Sequence, residues 1–141
     1  MKTIVYRLLM VLVIASLALS ACAKTEATPA AEEKPFRVAI IMPSAITDMA
    51  FSQSMYEGLL LVQKEMGGPA KMEIAYSEGM FKVPDAAAAI RDYATQGYDL
   101  VIAHGSQYGT SLQQIAPDFP TTSFAWGTAL DTFNKDGITN V

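Results

Sequence analysis

Phe36-Arg37-Val38-Ala39-Ile40-Ile41-Met42-Pro43 is a short apolar run with β-branched residues at its centre. It predicts a strand buried on both faces, as parallel sheets require when helices cover each side. Phe51, Met55, Leu59, Val62 and Met66 then recur at helical spacing, and Gly67-Gly68 closes that segment. Met72-Glu73-Ile74-Ala75-Tyr76 alternates and predicts a second, less buried strand. Pro84 suits the first turn of a helix, whose opening N–H groups have no intrahelical partner, and Asp85 complements the dipole there. Ala87, Ile90, Arg91 and Ala94 predict a small, mostly apolar face for that helix, which ends at Gly97. A third strand covers Asp99 to His104. Tyr108, Leu112 and Ile115 mark a third helix stopped by Pro117. Thr122 to Trp126 predicts a fourth strand, and Gly137 to Val141 the start of a fifth.

This β-α-β-α-β-α-β alternation predicts an α/β fold with a parallel, doubly wound sheet. Right-handed crossovers favour the strand order 2-1-3-4, with the switch point between the first and third strands. Ligands bind such sheets outside the carboxyl ends of the strands. Three loops should meet there: Pro43 to Phe51, Gly105 to Gln107, and Gly127 to Thr128.

The amino-terminal residues read as targeting and stand apart from the fold. Lys2 and Arg7 precede an unbroken apolar or small-residue run from Leu8 to Leu19. It is shorter than the roughly 20 residues of a membrane span and reads as a signal-peptide core. The run ends in Leu19-Ser20-Ala21-Cys22, a sequence that resembles the lipobox of bacterial lipoproteins. That resemblance implies cleavage before Cys22 and lipidation of its thiol. Cys22 is the only cysteine, so no disulfide can form within the chain. Ala23 to Lys34 is rich in Ala, Thr, Glu and Pro, without an apolar period, and predicts a flexible tether. The expected organisation is a signal peptide over 1–21, a lipidated tether over 22–35 and one α/β lobe over 36–141.

The first loop holds Asp48 and Phe51. A carboxylate accepting ligand hydroxyls beside a stacking ring suits a small polar-aromatic or sugar-like ligand. Equally, Asp48 can cap the first helix while Phe51 staples it to the core. In the second loop, Gly105 and Ser106 lie where a strand runs straight into a helix, whose free N–H groups could bind an anion or carbonyl. The glycines do not fit G-x-S-x-G, and His104, the only histidine, is too close along one strand to act as a base for Ser106. No catalytic residue is expected. His104 is read as a strand-end residue with a satisfied hydrogen bond, or as a ligand contact. Trp126, before Gly127, is either core packing or a wall of the cleft, with the wall favoured by its place at the strand's end.

With 141 residues and a formal charge of −4, the chain has room for one modest domain and shows no basic stripe for nucleic acid. It carries no phosphate loop, no dinucleotide fingerprint and no histidine–cysteine metal cluster, so no cofactor or metal is expected.

The stretch Thr47-Asp48-Met49-Ala50-Phe51-Ser52-Gln53-Ser54-Met55-Tyr56-Glu57-Gly58 resembles the acid-x-x-Phe-Asn segment and following Tyr-Glu-Gly of the basic membrane protein (BMP) family. Gln96 to Gly105 and Pro120 to Trp126 are similar to it as well, in the same order and spacing. The resemblance implies a substrate-binding lipoprotein of an ABC importer, with a periplasmic-binding-protein type I fold of two α/β lobes. The chain would supply most of the amino-terminal lobe, which points to a truncated product that binds ligand weakly. Carried over, Asp48 would bind ligand hydroxyls or polar edges, and Phe51 would stack on a ring. Ser52 replaces the family's usual Asn, and Trp126-Gly127 stands where many members carry an acidic residue. The expected ligand site is therefore Asp48, Phe51, Ser52, Gly105, Ser106, Trp126 and Gly127. The expected partners are a small molecule, such as a nucleoside, ABC permease subunits and the bilayer holding Cys22 on the extracytoplasmic face. The alternative is a lipid-anchored sensor that presents ligand to a signalling partner.

Overall fold

A computed structural model describes residues 34–141. The expected signal peptide, the lipidation site Cys22 and nearly all of the tether lie outside the described residues. The elements follow in the order β1 (Phe36–Ile41), α1 (Phe51–Glu65), β2 (Met72–Ser77), α2 (Val83–Thr95), β3 (Leu100–His104), α3 (Gly109–Ile115) and β4 (Ser123–Gly127). Short 3₁₀ turns at Ser106–Tyr108 and Ala116–Asp118 flank α3, and another spans Asn134–Asp136. The four strands are all parallel in the order β2-β1-β3-β4, the order predicted from the sequence.

Strand alternation divides the core into two layers. One sheet face presents Ala39, Ile41, Val101, Ala103 and Phe124 to α2 and α3, which answer with Ala86, Ile90, Ala94, Leu112 and Ile115. The other face presents Val38, Ile40, Met72 and Ile102 to α1, which buries Leu59 among them. Covered from both sides, β1 carries four successive buried residues from Val38 to Ile41, which explains its unbroken apolar run.

Three sequence expectations need correction. On α1 only Ser52 and Leu59 are buried, while Phe51, Val62 and Met66 stay largely exposed. The helix is rolled toward β2, where the Tyr56 and Tyr76 rings meet at 5.0 Å and Gln63 Nε2 donates to the Met72 carbonyl at 2.8 Å. On α2 the buried stripe is Ala86, Ile90 and Ala94, with Ala87 only half-buried and Arg91 exposed. Arg91 instead pairs with Asp118 at 2.9 Å, its guanidinium 5.7 Å from the centre of the Phe119 ring. The fifth strand does not form. The Phe124 N–H, on the side of β4 away from β3, donates to the Asn140 carbonyl at 2.7 Å. The Asn140 side-chain amide, however, turns back to the carbonyls of Ala116, Phe119 and Thr122. One backbone bond and an amide committed elsewhere do not make a ladder.

Tyr108 ties the two α2–α3 layer ends together. Its ring is fully buried, its hydroxyl donates to the Met80 carbonyl at 2.8 Å, and burial pushes the phenol up to about 12. At the centre of the same layer, Ile90 is wholly shielded from solvent. Ile90→Ala should destabilise the protein by about 2–5 kcal/mol, through lost burial and the cavity left behind. A urea melt should show a lower midpoint with an unchanged slope.

Candidate functional site at the carboxyl edge

The parallel sheet brings the ends of β1, β3 and β4 to one edge, and there the three expected loops meet. The first is organised by Asp48. One carboxylate oxygen accepts from the N–H groups of Ala50 (2.9 Å) and Gln53 (3.1 Å). The other accepts from the Ser52 N–H at 3.1 Å and from the Ser44 hydroxyl. The N-cap position, Ala50, has no side chain able to cap, so Asp48 serves the opening turn of α1 from two residues upstream. The Ser44 hydroxyl and then the Gln53 N–H hold the carboxyl well below the usual carboxylate range, against a smaller opposing effect of desolvation. Ser44 and Ser52 close the arrangement with their hydroxyls 2.7 Å apart.

Ser52 is completely buried, so in this structure it fastens the loop and offers no surface to a ligand. Phe51, one residue earlier, is 39% exposed. Its ring lies on the His104 imidazole with centroids 3.8 Å apart and planes within 15°. His104 is 7% exposed, and its Nε2 lies 3.1 Å from the Phe51 carbonyl. A carbonyl only accepts, so Nε2 carries the proton and Nδ1 is bare. Nδ1 is buried and has no hydrogen-bond partner. Burial lowers the imidazole's pKa, with the Phe51 carbonyl and the Asp48 charge opposing.

The second and third loops fit together by close approach. A Cβ on Gly127 would lie 2.8 Å from His104 Nδ1 and 3.0 Å from His104 Cα. At Gly105 it would meet Gln107 Oε1 at 2.6 Å. Ser106 is exposed at the turn into α3. Trp126 does not stand as a free wall. Its indole N–H donates to the Gly105 carbonyl at 3.1 Å, its ring stacks on Phe133 at 5.3 Å, and its other neighbour is Gly109, where a Cβ would fall 2.2 Å from the ring. It braces the third loop against the second. Backbone strain gathers at the same edge. Met49 and Thr128 both hold φ near +60°, which costs a side-chain-bearing residue about 1–2 kcal/mol.

The structure thus brings all seven sequence-predicted site residues to one edge, but they divide in role. Phe51 and Ser106 face outward, Gly105 and Gly127 keep the loop ends close, and Asp48, Ser52 and Trp126 hold them. Sequence reasoning passed over Ser44 and Gly109. Ser44 was legible in principle, because serines stand four residues either side of Asp48. Gly109 was not, since its role depends on where Trp126 lands. Among the described residues no group of three or more His, Cys, Asp or Glu side chains could hold a metal ion, and no helix is long and apolar enough to cross a membrane.

A four-stranded parallel sheet with helices on both faces and its longest loop at the carboxyl edge is a doubly wound α/β lobe. The sequence profile of the Bmp family, described as ABC transporter substrate-binding protein PnrA-like, matches residues 36–141, and the chain belongs to that family. It is 28% identical over 105 residues to the transcriptional activator protein Med of Bacillus subtilis (strain 168), matching 74% of this chain and 31% of Med. An ABC transporter solute-binding protein from Conexibacter woesei DSM 14684 superposes with a TM-score of 0.55 at 28% identity, over 62% of this chain and 28% of that one. Another, from Aeropyrum pernix K1, gives a TM-score of 0.57 at 18% identity, over 65% and 24% of the two chains, and speaks for the fold alone. The chain spans about a third or less of the length of these three.

Two outcomes test this geometry. Gly127→Ala should cost about 1–3 kcal/mol by overpacking His104, measured as a lower thermal midpoint. As for pH, the lowered His104 pKa means that the unfolded chain takes up a proton first as pH falls below about 6.5. Stability should hold above that value and decline beneath it, and His104→Phe should remove this decline. A second loss should begin below about pH 4, where Asp48 binds a proton more readily unfolded than folded, and Asp48→Asn should abolish it. Denaturant midpoints from pH 3 to 8 would check both.

Proposed function

We propose that the protein is a non-enzymatic solute-binding lipoprotein that takes up a small ligand with a planar ring, of the nucleoside class, at the carboxyl edge of its sheet. One observation carries this reading: Phe51 has one ring face covered by His104 and the other turned outward at the point where three loops meet. Membership of a family of ABC transporter substrate-binding proteins supports the same direction. In this reading Phe51 stacks on the ligand ring, while Ser106 and the backbone beside Gly105 and Gly127 offer polar contacts. Asp48, Ser52 and Trp126 keep those groups in place. Ligand would select a closed arrangement, and the cargo would pass to ABC permease subunits. The proposed organisation remains a signal peptide over 1–21, a tether over 22–35 lipidated at Cys22, and a binding lobe over 36–141 on the extracytoplasmic face.

A second reading, a lipid-anchored sensor working through a regulatory partner, draws on the match to Med, whose name makes that protein a transcriptional activator. The two readings share the ligand site and differ in the partner.

An amide NMR titration of the protein with adenosine, and with ribose as the ring-free comparison, tests the site. Adenosine should bind weakly, in the millimolar range, and shift the amides of Phe51, Gly105, Ser106 and Gly127, while ribose should leave Phe51 unmoved. Adenosine shifts that are absent, or confined to other surfaces, would sink the reading. For the anchor, cells fed an alkyne-tagged palmitate should label the protein, and Cys22→Ala should lose both label and membrane association.

A further inference from the structure

We infer that His104 is a positioning residue, which fixes Phe51 from beneath so that the two rings form one platform for a planar ligand. This rests on the ligand reading above and adds the group that makes Phe51 competent for it. Phe51 is the first residue of α1, and it is 39% exposed. Two contacts from β3 restrain it. The imidazole stacks under the ring at 3.8 Å, and Nε2–H donates to the Phe51 carbonyl at 3.1 Å, so ring and backbone of the same residue are gripped together.

The surroundings fit this role and argue against direct ligand contact. Nδ1 is buried against Gly127, at a spot where even a methyl group would collide, so no ligand reaches it without displacing β4. With His104 only 7% exposed beneath a Phe51 that is 39% exposed, the histidine acts through the phenylalanine. A bare buried Nδ1 is a standing cost. A phenylalanine at 104 would remove that cost but lose the grip on the backbone. An alanine would lose both ring and grip.

NMR separates this role from a merely structural one. In the ligand-free protein, the Phe51 ring protons should be shielded by the imidazole, and the imidazole ¹⁵N spectrum should show Nε2 protonated and Nδ1 bare. His104→Ala should release the Phe51 shielding, and His104→Phe should retain most of it. Phe51 ring shifts identical in wild type and His104→Ala, or a proton on Nδ1 alone, would overturn the inference. In the adenosine titration, His104→Ala should weaken binding about three- to tenfold, and His104→Phe by about twofold or less. Unchanged affinity in a folded His104→Ala would also overturn it. If the wild type fails to bind adenosine, the nucleoside reading falls, and the ligand-free spectra alone decide whether His104 positions Phe51.

Discussion

The Asp48 carboxylate carries the architecture of the edge. It is bonded to three amides and a hydroxyl contributed by residues on both sides of it in the chain. Without it, the loop from Met42 to Phe51 would leave several N–H groups at the start of α1 unserved. The loop would also lack the tie that closes Ser44 on Ser52. The start of α1, and with it Phe51, follows directly from that closure. Phe51 begins the helix that Asp48 starts, and the place of Phe51 decides what lies over His104. His104 in turn sets how near β4 can come, because Gly127 sits against it.

A charged group at a helix start can be read as a ligand contact or as a cap, and the bond count favours the cap here. Four accepted hydrogen bonds take up most of the lone-pair capacity of one carboxylate. The outward-facing chemistry of the first loop is therefore aromatic, with the carboxylate one layer behind. The same division recurs across the edge. Trp126, the largest ring, is spent on Gly109, Phe133 and the Gly105 carbonyl, and the smaller Phe51 is left to the surface.

The fold was legible because its periodicities are clean. The short, β-branched apolar run of β1 reads as a strand covered on both faces, and proline with aspartate at the start of α2 marks a helix opening. Strand order followed from handedness once the alternation was known. What stayed hidden depends on tertiary geometry. The apolar stripe of α1 gave no hint that the helix rolls toward Tyr76 and leaves Val62 and Met66 in solvent. Ile138 and Val141 look like strand residues, yet the Asn140 side chain between them is drawn to three carbonyls around the end of α3. In the site, Asp48 and Phe51 were found by type and spacing. Their division of labour was not, since one-dimensional spacing cannot show that residue 104 lies under residue 51.

Stability alone does not account for this edge. Met49 and Thr128 hold backbone conformations that glycine or asparagine would hold at less cost. The loops after β1, β2 and β4 each turn one large apolar side chain to solvent, with Met49 92%, Phe81 76% and Leu130 fully exposed. His104 leaves a buried nitrogen unpaired. Each is unfavourable alone, and all five residues lie at or just beyond the carboxyl ends of the strands; among the described residues the third non-glycine with positive φ, Phe133, also follows β4. Strained backbone, an unpaired buried nitrogen and three exposed apolar loop tips thus coincide at this edge, the combination expected where a ligand rather than packing sets the side chains.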